Sequence, residues 1–173
     1  MKHGIEEFVK NVQLDIEELD LGKDFDDAAK AHEIIMNGSI ANSLMNYYQT
    51  DKSNLHPFTV KRIEAGIPVS ASDYVSAIEQ AKKMEQILKQ FFKKYDAIIT
   101  PAAPGQAPRD LMNTGNAIFN GYWTMMGVPA ISLPFLKGKD DLPIGIQFIA
   151  NWSEDLKLLE ICKYVLEKEK LAN

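Results

Sequence analysis

Ala130-Ile131-Ser132-Leu133-Pro134-Phe135, then Leu142-Pro143-Ile144-Gly145-Ile146-Gln147-Phe148-Ile149-Ala150, is the stretch on which the fold turns. Both runs are short and apolar, and Gly138 to Asp141 between them has the composition of a turn. They predict two buried strands, with Gly145 allowing close backbone approach. Immediately upstream, Gly127-Val128-Pro129 ends a helix that starts at Thr114 and runs to about Met126. Before that, Ala97-Ile98-Ile99-Thr100 reads as another short buried strand. It opens into a loop, Pro101–Asn113, with three prolines and a glycine in its first eight residues.

The rest of the chain is helical in pattern. Tyr74, Ile78, Ala81, Met84, Leu88, Phe91, Phe92 and Tyr95 keep helical spacing behind Ser72, a good N-cap, with Ser70 in a turn. Phe25 to Tyr47 predicts a long helix, with a kink at Gly38, and Pro57 to Glu64 a shorter one. Leu158, Leu159, Cys162, Val165 and Leu166 form one stripe of a last helix after Ser153. At the start, Ile5, Phe8, Val9 and Val12 fit an amphipathic helix. The alternation Val12, Leu14, Ile16 predicts a strand that has no N-terminal partner. Ser132 falls in a buried strand and reads as structural.

The expected class is α/β: a partial, mixed sheet of about three to four short strands covered by helices. A chain of 173 residues with 46% apolar content suits a single domain over 1–173. Residues 1–70 would form a helical accessory part and 71–173 the helix–strand core. The net charge of −5 and dispersed lysines exclude a nucleic-acid footprint. No apolar run approaches the ~20 residues of a membrane span, and the N-terminus lacks the apolar segment of a signal peptide. With Cys162 as the one cysteine, a cytoplasmic location is the expectation.

Ligands of such sheets bind on loops beyond strand ends, here 101–113 and the start of the helix near Asn116. Acyl transfer requires an activated nucleophile, a base and oxyanion donors. No Gly-x-Ser-x-Gly elbow occurs, and Gly38-Ser39, the one Gly-Ser step, lies inside a helical pattern. His3, His32 and His56 offer no catalytic pairing. No metal-ligand spacing appears, so no catalytic residue, metal or cofactor is assigned.

Several segments in order resemble the amidase signature family: Tyr95-Asp96-Ala97-Ile98-Ile99-Thr100-Pro101-Ala102-Ala103-Pro104, Thr114–Thr124, Gly127–Pro134, Leu142–Gln147 and Trp152–Asp155. Arg62–Gly66 with Ser72-Asp73-Tyr74 fits the same family, and Gly4–His32 resembles its segment just past mid-chain. Members hydrolyse amides, or transfer ammonia within a glutamine-dependent amidotransferase. They use two serines joined through a cis peptide, and a lysine, all N-terminal to the region matched here. The resemblance therefore implies the C-terminal portion of an amidase, without its catalytic Ser/Lys set and inactive alone. It implies a substrate-binding wall from Asn116, Asn120, Trp123 and Gln147, with a small amide as substrate. The expected partner is an N-terminal amidase half, or a second copy through exposed sheet and helix faces. Two alternatives remain: a non-catalytic module binding a small ligand, and a degenerate remnant of an amidase or of the amidase-like component of a glutamine-dependent amidotransferase.

Overall fold

The computed structural model describes residues 2–110 and 113–172; Leu111 and Met112, part of the expected loop 101–113, lie outside the described residues. The elements are α1 (Lys2–Val12), α2 (Ala28–Thr50), α3 (Pro57–Gly66), α4 (Ala71–Phe91), β1 (Ile98–Pro101), α5 (Ile118–Met126), β2 (Ala130–Lys137), β3 (Pro143–Ile149) and α6 (Asp155–Ala172). Contacts divide the chain into two compact units, 21–86 and a unit made of 1–20 with 87–173, so the boundary falls inside α4. No described helix is long and apolar enough to cross a membrane.

In the larger unit the sheet order is β1-β3-β2. Both pairings are antiparallel, where the sequence predicts a mixed sheet. The reason is local: a tight turn joins β2 to β3 and forces them antiparallel. β3 is then inserted between β1 and β2, which run alike and are connected through α5. Partners across the ladder share a face, so Ile99, Phe148 and Ile131 lie on one side and Thr100, Gln147 and Ser132 on the other.

The apolar side is the core. Ile146 and Phe148 are buried with Phe8 and Val12 of α1 and with Leu158, Cys162 and Val165 of α6. Phe135 stacks on Phe8 at 4.6 Å between ring centroids and meets Phe148 edge-on at 6.3 Å. These are two of the arrangements that aromatic rings favour. Leu159 is displaced from the stripe predicted for it and is 56% exposed, because Leu158, Cys162 and Val165 already take the inward face.

The strand expected at Val12–Ile16 is absent. Val12 closes α1, Gln13 takes a left-handed φ of 51° that stops the helix, and Leu14 packs against the core without a ladder partner. The alternation comes from a helix end followed by extended chain. Lys94 and Tyr95 both donate to the Glu17 carboxylate, tying that segment to the residues before β1 and holding the carboxyl below its usual range.

In the unit 21–86, α2 is unbroken through Gly38. A Cβ there would lie 3.0 Å from the Tyr74 ring, and the Tyr74 hydroxyl pairs with Ser39 Oγ at 3.0 Å. Glycine at 38 thus makes room for a neighbour rather than bending the helix. At Gly66 the approach is closer still: a Cβ would fall 2.0 Å from the Asn37 carbonyl oxygen. The cap of α4 is Ser70, not Ser72. Ser70 Oγ accepts from Asp73 N–H at 3.0 Å, and its hydroxyl donates to the Asp73 carboxylate at 2.6 Å.

Candidate substrate wall

The polar side of the sheet carries the row Thr100, Gln147, Ser132, and α5 lies along it. Gln147 is 3% exposed. Its Nε2 stands 2.9 Å from Thr100 Oγ1, 3.0 Å from Pro101 O and 2.9 Å from Phe119 O. Two amide protons are shared among three acceptors, two of them carbonyls. The flipped amide would set oxygen against oxygen, so this orientation is fixed. A single side chain thereby ties β3, the end of β1 and the first turn of α5 together.

The other residues predicted for the site divide between rim and interior. Asn120 is exposed, and its Nδ2 donates to Ala102 O at 3.2 Å, bracing the start of the loop after β1. Asn116 is exposed, and its Oδ1 accepts from Ile118 N–H at 2.9 Å. The helix therefore begins at Ile118 rather than Thr114, with Asn113 and Gly115 (φ 83°) forming a turn before it. Trp123 is 3% exposed, and its enclosed indole N–H has no hydrogen-bond partner among the described residues. Gln147 and Asn120 thus converge on the 101–102 peptides, Asn116 serves the helix start, and Trp123 lies within the packing.

Two features escape a reading of the sequence. Ser132, expected to be buried, is exposed on the polar side beside Gly145, where an added Cβ would lie 2.1 Å from its Oγ. The apolar neighbours of Ser132 hide this because they point to the other face. Second, Gln106 and Arg109 both reach Asp140 in the turn between β2 and β3. Among the described residues no group of three or more His, Cys, Asp or Glu is placed to hold a metal ion.

The sequence profile of the amidase family matches residues 17–159. The chain belongs to the amidase family. The A subunit of the glutamyl-tRNA(Gln) amidotransferase from Aliarcobacter butzleri (strain RM4018) is 34% identical over 125 residues, covering 66% of this chain and 28% of that protein. A fatty acid amide hydrolase from Medicago truncatula is 35% identical over 98 residues, covering 49% of this chain and 16% of its own length. The crystal structure of an amidase superposes with a TM-score of 0.84 at 17% identity, covering 96% of this chain and 41% of that one. At that identity the likeness is one of fold. This amidase chain thus spans just over a quarter of the first relative and two fifths of the solved amidase.

Proposed function

We propose that this chain acts as the C-terminal portion of an amidase-type enzyme working on carbon–nitrogen bonds. It supplies the wall of a substrate channel and part of the core, while an N-terminal amidase portion supplies the nucleophilic serine and the lysine. One observation carries this reading. The sheet face bearing Gln147 leaves Ala130, Ser132 and Pro134 of β2 exposed, in a chain that covers only 41% of the amidase it superposes on.

Within this reading Asn120 and Asn116 form the rim that meets a small amide. The Asn120 side chain can donate to a carbonyl and accept from an amide N–H. Trp123 holds α5 and offers an unused donor behind that rim. Gln147 fixes the distance between α5 and the strand ends, so its effect on substrate passes through Asn120. The test mixes this chain with the N-terminal portion of a homologous amidase and follows ammonia release from glutamine, propionamide and an aryl amide. Hydrolysis by the mixture and by neither part alone is the expected result. Absence of any gain, with both parts folded, sinks the reading. In an active mixture Asn120→Ala raises KM.

A further inference from the structure

The loop after β1 is held at two places by different chemistry. At its root, the Ala102 N–H extends the ladder to Gly145 O at 3.0 Å, while Gln147 and Asn120 hold the carbonyls of Pro101 and Ala102. At its tip, the Gln106 side-chain amide grips Asp140 at both ends: Nε2 donates to Oδ2, and Oε1 accepts from the Asp140 N–H at 3.2 Å. Arg109 donates to the other carboxylate oxygen at 2.8 Å. Between root and tip, the backbone of residues 103–109 makes no backbone–backbone hydrogen bond among the described residues. Its position therefore depends on side-chain bonds to one carboxylate. Segments with so few fixed backbone bonds open at the low end of a protein's local free energies.

The receiving turn is shaped for this grip. Gly138 N–H bonds Leu142 O at 2.8 Å, and Asp141 takes a left-handed φ of 60°, which closes a tight turn and presents Asp140. A Cβ on Gly138 would lie 2.1 Å from Gln106 Oε1, so glycine leaves the seat that the amide occupies.

We propose that residues 103–109 form a strap that releases and re-closes at Asp140 as a unit, independently of the sheet it lies against. On the amidase reading above, on which this consequence rests, the strap is the movable edge of the substrate wall, since it leaves the sheet at Ala102 beside Gly145 and Asn120.

Nitrogen-15 relaxation of the chain by itself tests the proposal. The amides of Ala103, Gly105, Gln106, Ala107 and Arg109 report on the strap, and those of β3 on the sheet. Asp140→Ala removes the gripped carboxylate. Gly138→Ala leaves Asp140 in place and fills the seat of Gln106, with the added Cβ 2.1 Å from its Oε1 and 2.8 Å from its Cβ, so that the strap must shift. Both variants should lower the order parameters of the strap amides from about 0.85 to below about 0.6 while those of β3 stay at their original values. Strap order parameters unchanged in both variants overturn the proposal, and so does a fall spread equally through β3, which would mean that strap and sheet open together. The measurement needs no activity, so a failed complementation assay leaves it standing, and a rigid strap leaves the amidase reading standing.

Discussion

The two faces of one three-stranded sheet were built to different ends. On one, Phe148, Ile146, Leu133 and Ile131 meet α1 and α6 in a packed core. On the other, the same strands carry Thr100, Gln147, Gly145 and Ser132 beside the buried Ile98 and Ile149, and Gln147 bonds both Thr100 and the backbone of α5. Burial of apolar area stabilises the first face without regard to direction. The second depends on directed bonds that hold particular carbonyls at particular places.

Four substitutions test that contrast, from the largest expected effect to the smallest. Phe148→Ala removes the ring that Phe135 meets edge-on at a fully enclosed position. It should lower unfolding free energy by about 3–5 kcal/mol in urea titration. Gln147→Leu keeps the volume but removes the buried donor shared by Thr100 Oγ1, Pro101 O and Phe119 O, and should cost about 1–3 kcal/mol. A cost as large as that of Phe148→Ala would erase the distinction between the faces. Gly145→Ala should cost about 1–2 kcal/mol by crowding Ser132. Ser132→Ala should restore part of it, because only Oγ stands at 2.1 Å and the serine Cβ at 3.5 Å. A double-mutant cycle with no coupling would mean that the strands simply part.

The smallest effect concerns pH. Burial pushes the Cys162 thiol up from its ordinary value, so folding favours the neutral form. That contribution is complete below the ordinary thiol range near ~8.5 and is lost as pH rises through it toward the folded value. Cys162→Ala should flatten the alkaline fall of the melting temperature, and an unchanged fall would assign it to other groups.

Much of this contrast can be read from the residues in order, because strands, turns and helix stripes are local. The β2–β3 turn at Gly138–Asp141 and the helices flanking the sheet follow from composition and period. What escaped reading is non-local or lies at an element's end. The alternation Val12, Leu14, Ile16 has the period of a strand, yet pairing decides strands, and no partner lies beside it. Ser70 and Ser72 are equally good caps by type, and only the bond to Asp73 distinguishes them. Gln106 and Asp140 are separated by 34 positions and neither belongs to a motif. Asn120, Trp123 and Gln147 stood out through family resemblance, but which of them faces outward was fixed by the packing of α5 against the sheet.

One feature of β2 bears on how such a protein survives in a crowded solution. Its register against β3 slips between Leu133 and Leu136, at the place where Pro134 interrupts the strand. A proline offers no N–H, and a slipped register breaks the even row of groups that an incoming strand would need. Fibril growth by stacking on that strand is therefore disfavoured by its own backbone, whatever side chains its exposed positions carry.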